Sequence, residues 1–337
     1  MNTPTTAISP LRTFGWLLRR EFWEHKGGFF WAPIWAGGIS LLLTAMGFIF
    51  AEVASRKMLA AGKEATNTFV INGLDLSSIT AQMDADDLQK LADGISMSMA
   101  SAMLWPMLVL GFVVFFYCLG SLYDERKDRS ILFWKSLPLS DRDTVLSKLV
   151  SALVVAPALA VAVGIVCMIA FMLLLSGFVL LHNGNPITLL WSPGSLLANV
   201  GIALASLPIY ALWALPSAGW LLLCSAWARS KPFLWAIMLP VFAGVFLSWF
   251  DFMSSAKLGS GWFWKNVVAH ALGGVFPGSW IGVMDKTNVT TLVGADYWAI
   301  VKAMYSVLAL PQLWIGAVAG AAMIGFAIRL RRQRDDA

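Results

Sequence analysis

The chain is short of charge. Of its 337 residues only 13% are Asp, Glu, Lys or Arg, roughly half the share of a soluble domain. Mean hydropathy is +0.72. Long uncharged runs at that composition point to an integral membrane protein. Cysteine is scarce as well. Cys118, Cys167 and Cys224 each lie inside an apolar run and none forms a CxxC pair, so neither a disulfide framework nor a zinc site is expected. Only three histidines occur, His25, His182 and His270, in separate segments; a shared metal is not expected. No GxxxxGK[ST] loop, HExxH, GxSxG or GxGxxG run is present, so no motif for nucleotide hydrolysis or for those metal, ester or dinucleotide chemistries is carried here. The apolar runs hold almost no ionisable residue. A proton-coupled carrier places acids or histidines at membrane depth. What remains is a bundle that is passive, structural or driven by a partner.

Six runs have the roughly 20 apolar residues a span needs: about 29–51, 99–122, 149–181, 199–227, 232–250 and 310–330. The fourth and fifth are separated only by Ala228–Lys231 and form a tight hairpin. Segments 1–28, 123–148, 228–232 and 329–337 together hold 16 Lys and Arg, against 8 in segments 53–98, 182–198 and 251–309. The positive-inside rule therefore places both termini and the 123–148 loop in the cytoplasm. Arg329, Arg331, Arg332 and Arg334 read as a stop signal at the anionic inner leaflet, with no nucleic-acid partner implied.

Ahead of the first span, Leu11, Phe14, Leu18 and Phe22 share one helical face, while Arg12, Arg19 and Arg20 lie toward the other side with Trp16 and Trp23. This predicts an amphipathic helix in the membrane interface, with Gly27 and Gly28 permitting a sharp turn into the bilayer. Arg19, Arg20, Glu21 and Trp23 are its candidate contacts with another protein. On the opposite side, Met83, Leu88 and Leu91 among Asp84, Asp86, Asp87 and Asp93 suggest a short amphipathic helix. An acidic helix surface explains those aspartates better than a metal site. Segment 251–309 is rich in Gly and aromatics (Trp262, Trp264, Phe276, Trp280, Trp298). It reads as re-entrant or interfacial helices broken at Gly273–Gly274 and Pro277–Gly278. Asn288-Val289-Thr290 matches a glycosylation sequon that matters only in a eukaryotic secretory context.

The densest charge lies in YDERKDRSILFWKSLPLSDRD, Tyr123–Asp143. Six ionisable residues, Asp124–Arg129, precede an apolar patch of Ile131, Leu132, Phe133 and Trp134. Pro138 interrupts, and Ser140-Asp141-Arg142-Asp143 is a capping pattern that starts the next helix. The expected form is a compact protrusion: helix, proline break, capped helix. Its charges can pair with a partner's surface and its apolar face can enter a groove. Glu125, Arg126, Asp128 and Arg129 are the candidate ion-pair residues; Ile131, Phe133 and Trp134 are the candidate packing anchors, with Ser130 between the two sets.

Glu125-Arg126, then Ser130, then Ser136-Leu137-Pro138-Leu139-Ser140, then Lys148 resembles the ABC-2 type permease family of ABC transporters. The six spans, amphipathic first helix and inside termini resemble that layout over nearly the whole chain, though the motif itself covers about 25 positions. The resemblance implies an all-α integral membrane fold of six transmembrane helices behind an amphipathic interfacial helix. It implies residues 1–28 as that helix, 29–330 as the membrane domain and 331–337 as a basic tail. It also implies a bacterial cytoplasmic membrane, a second permease chain in a homodimer, surrounding lipid, and two copies of a separate ATP-binding subunit. Under it the 123–148 loop is the coupling helix. The chain itself carries no cofactor and no catalytic residue; ATP and Mg²⁺ belong to the partner. The expected function is ATP-driven export of an apolar or amphipathic substrate: a drug, peptide or lipid-like molecule. The external segments 53–98 and 251–309 are longer than in many such permeases, which leaves a second reading open: an ABC-type sensing or envelope-stress assembly that moves those segments without transport.

Overall fold

In the computed structural model, residues 10–60, 84–136, 139–192, 196–254, 259–284 and 297–333 are described. All the regular structure among them is helical. Six helices are long and apolar enough to cross a membrane, the architecture of a multi-pass membrane protein. Helix α1 (Pro10–Glu24) precedes a π-helical turn, Gly27–Trp31, which runs into α2 (Ala32–Ala60). Next come α3 (Ala85–Gly120), the short α4 (Tyr123–Lys127) and α5 (Ser130–Ser136), and α6 (Asp141–Val150), which passes through a π turn into α7 (Ala156–Leu181). Helices α8 (Leu196–Trp227) and α9 (Pro232–Ser254) form the tight hairpin. Segment α10 (Ser260–Phe263), a π turn (Trp264–Val268) and α11 (Ala269–Gly273) then fold back along α9; α12 (Tyr297–Tyr305) and α13 (Pro311–Gln333) complete the chain.

The end of the bundle that carries α1, α4–α6 and the last turn of α13 is called the terminal end, and the opposite one the distal end. The step from α1 to α2 is no sharp turn at Gly27–Gly28 and needs no left-handed glycine. Lys26 and Ala32, which flank the π turn, both keep right-handed helical backbone. The acidic stretch around Asp84–Asp93 is not a separate short helix. It is the opening of α3, which runs 36 residues without a break, about 54 Å at 1.5 Å per residue. That exceeds a hydrocarbon core of about 30 Å, so the polar first turns project beyond it. The glycine breaks in the re-entrant segment are present: Gly278 sits at φ +81°, a left-handed conformation that side chains with a Cβ disfavour. On either side of it Val275 and Trp280 are buried. Pro138 and the Asn288 sequon lie outside the described residues.

The largest apolar core joins α3, α8, α13 and the π turn before α7. Its tightest point is the crossing of α8 and α13. A Cβ on Gly219 would stand 2.7 Å from the Gly320 carbonyl oxygen, and one on Gly320 would stand 2.8 Å from that of Leu215. Small residues let two backbones meet this closely. A second core, toward the distal end, packs Ile95, Met99, Met168, Phe171 and Met172 between α3 and α7.

Candidate functional site

At the terminal end, charges from four segments converge on buried ground. Glu21 is fully buried, Lys148 is 1% exposed, and Glu125 and Arg331 are each 6% exposed. Each is carried inward by a different helix. Glu21 lies on α1 one helical turn beyond buried Leu17. Arg331 lies one turn beyond Ala327 and two beyond Ile324 on the inner face of α13. Lys148 ends the buried side of α6 behind Thr144, Val145 and Ser147. That helix starts on the Ser140 hydroxyl, which accepts from the Asp143 amide at 3.0 Å, the expected cap.

Lys148 Nζ lies 3.0 Å from a Glu21 oxygen and 3.0 Å from Glu125 Oε1. The other Glu125 oxygen accepts from Arg331 Nη1 at 2.6 Å, and Arg331 Nε donates to Asp141 at 3.1 Å. Arg20 approaches Glu125 Oε1 at 3.3 Å and Glu21 at 3.7 Å. The Tyr117 hydroxyl, from α3, donates to Glu21 Oε2 at 2.7 Å. Three carboxylates thus meet three cations, which is how buried charge is tolerated. Glu125 lies past the last turn of α3, in the loop. Burial pushes its carboxyl up, but Lys148 and Arg331 outweigh that and hold it down at about 2.

The residues named from the sequence separate into two groups. Glu125 turns inward rather than outward. Arg126 also stays within the chain, donating to the carbonyls of Ser225 and Ala228 at 2.5 and 2.9 Å, beside a Ser225 hydroxyl that accepts from the Leu122 and Tyr123 amides. The charge run alone does not place them, because every partner but Lys148 lies about 100 to 200 residues away. Ser130 donates to the Glu125 carbonyl at 3.3 Å, and Ile131 is 3% exposed. Trp134 lies under the Arg20 guanidinium, 3.5 Å from its ring centre. Arg20 and Glu21 therefore join the loop residues in one cluster.

Asp128 and Arg129 stay exposed at the turn between α4 and α5, where Arg129 takes φ 56°. Arg19 and Trp23 are also exposed, Arg19 stacking over Trp16 and Trp23 beside Lys26. The Phe133 side chain lies outside the described residues.

Three members carried other readings or none from sequence. Arg331 was expected to serve the membrane surface with its neighbours. Helical periodicity instead turns it into the bundle and leaves Arg329 and Arg332 exposed; Arg334 lies outside the described residues. From sequence Asp141 is a cap-box acid, and nothing sets Tyr117 apart from the apolar run around it. Glu21, Glu24 and His25 bring potential metal-binding atoms within 4.8 Å of one another. Glu21 is already taken by Lys148 and Tyr117, so this group belongs to the ion cluster. Chemically, the cluster locks the first helix, the loop, the start of the third span and the end of the sixth into one rigid block. Comparison of the chain with family models, curated proteins and solved structures yields no match.

Proposed function

We propose that this chain is the membrane-spanning permease subunit of an ATP-driven ABC transporter of the ABC-2 type, in a bacterial cytoplasmic membrane with both termini inside. It pairs with a second copy and exports an apolar or amphipathic substrate, and a separate ATP-binding subunit docks on the 123–148 loop. The observation that supports this reading is the buried cluster. A partner's nucleotide cycle can move a bundle only through contacts that differ between its two states. A loop clamped by Glu125, Lys148 and Arg331 transmits a push on α4–α5 to α1, α7 and α13 together. The docking surface is then the exposed side: Asp128 and Arg129 on the loop, Arg19 and Trp23 on α1.

The test is co-purification of the full chain from its native membrane. An ATP-binding subunit is expected to come with it. Asp128→Lys with Arg129→Glu is expected to release that subunit while the chain itself stays folded. Recovery of the chain with no ATPase, or retention of the ATPase by the double variant, overturns the docking assignment. Uptake of an amphipathic fluorophore into inverted vesicles then separates export from an assembly that hydrolyses ATP without transport.

A further inference from the structure

A cavity of about 510 Å³ opens between α8, α9, α13 and the re-entrant segment. Its volume falls within the roughly 300–1,000 Å³ range of small-molecule sites. The walls are Trp213, Pro216 and Trp220 of α8, Leu239 and Pro240 of α9, and Ile315, Ala319 and Met323 of α13. The polar groups gather where the re-entrant segment covers it: Lys265, Asn266 and His270. None of the described lining residues is acidic.

Depth follows from helix rise. The Trp264 indole donates to Ser248 at 2.9 Å, which sets Lys265 beside the distal third of α9. Leu239 lies nine residues nearer the terminal end, about 14 Å along the helix. The cavity is therefore elongated along the bundle, apolar at its inner end and cationic at its distal end. Lys265 is exposed and sits in the π turn Trp264–Val268; π turns of this kind recur at functional sites. The imidazole of His270 stacks on Trp213 with ring centres 4.3 Å apart, and its Nε2 lies 2.9 Å from the Trp213 carbonyl oxygen. That contact makes Nε2 the protonated nitrogen. The Trp213 indole N–H is buried in the same wall with no acceptor among the described residues. Hydrogen-bond donors and one cation line the site, and none of its described lining residues is an anion. Asp251, at the distal end of α9, accepts from the Ser260 hydroxyl at 2.9 Å.

We propose that this cavity binds a single-chain amphiphile with an anionic head group, the chain lying between α8, α9 and α13 and the head at Lys265. The charge selects the head and the elongated apolar interior selects one chain. A fatty acid and a lysophospholipid both have that chemistry. The site goes beyond the transport reading and stands without it, because binding is read directly.

The test uses the full chain in phosphatidylcholine nanodiscs with photoactivatable probes of equal chain length carrying the diazirine at the chain end. One is a fatty acid, one a lysophosphatidylglycerol and one an alkylamine. Either anionic probe is expected to form adducts around Trp220, Leu239 and Met323, and the better of the two identifies the source. Lys265→Glu is expected to cut the yield about tenfold, the scale of reversing one charge beside an anionic head. Lys265→Arg should retain it, and Ala319→Trp should abolish it by filling the space. An unchanged thermal transition in the Lys265 variants shows that the fold survives. Equal labelling by the alkylamine, or adducts indifferent to both Lys265→Glu and Ala319→Trp, overturns the proposal.

Discussion

Glu125 answers to three cations from three helices: Lys148, Arg331 and Arg20. Removing one partner from such a buried set leaves uncompensated charge and costs about 3–5 kcal/mol. Glu125→Ala is therefore expected to lower the thermal transition of the detergent-solubilised chain by several degrees, whereas Asp128→Ala, at an exposed site, should leave it within error. The pH dependence has a definite sign. The folded carboxyl sits at about 2, below an unfolded value of about 4.3. Its contribution is thus complete above the unfolded value and is lost as pH falls from about 5 toward 2. Thermal unfolding followed from pH 6 to pH 3 should show this loss in the native chain and a shallower slope in Glu125→Gln. Equal slopes would mean that Glu125 is not charged in the folded state.

Helices α8 and α13 depend on side chains that are missing. Gly219 and Gly320 bring the two backbones together with no space for a Cβ. Gly320→Leu forces the pair apart, an overpacking change worth about 1–3 kcal/mol. It should lower the thermal transition and weaken the Arg331 contact about three turns along the helix. An Ala→Leu substitution on the exposed face of α13, at Ala322, should do neither. The α4–α5 turn is also settled at this scale. Lys127 ends α4, and Arg129 adopts the left-handed backbone that commonly follows a helix. That turn sets Asp128 and Arg129 outward while Glu125 and Ile131 face inward.

Across the whole molecule, one end is charged and clamped and the other carries the re-entrant segment. Lys90 belongs to the distal end on α3, and Asp128 to the terminal end. Cysteine substituted at each position, probed with a membrane-impermeant maleimide on intact cells and on inverted vesicles, is expected to label from opposite sides. Labelling from the same side would refute the single span, α3, placed between them. The proposed orientation adds that Asp128→Cys reacts only in inverted vesicles.

The number of spans, their approximate limits, the α8–α9 hairpin and the breaks in the re-entrant segment were legible in the sequence. Each rests on a run of neighbouring residues: apolar length for a span, Gly and Pro for a break, and Ser140 for a cap. The acidic opening of α3 was half legible, because its spacing announces a helix but not that the helix continues for 36 residues. The direction in which single charges face was decided by the tertiary structure. Glu125 and Asp128 stand in one charged run, yet the first is buried and the second exposed. Arg331 and Arg332 are adjacent and face opposite ways. The energy of a charge depends on whether an opposite charge meets it in a dry place. Here those partners come from segments that only folding brings together.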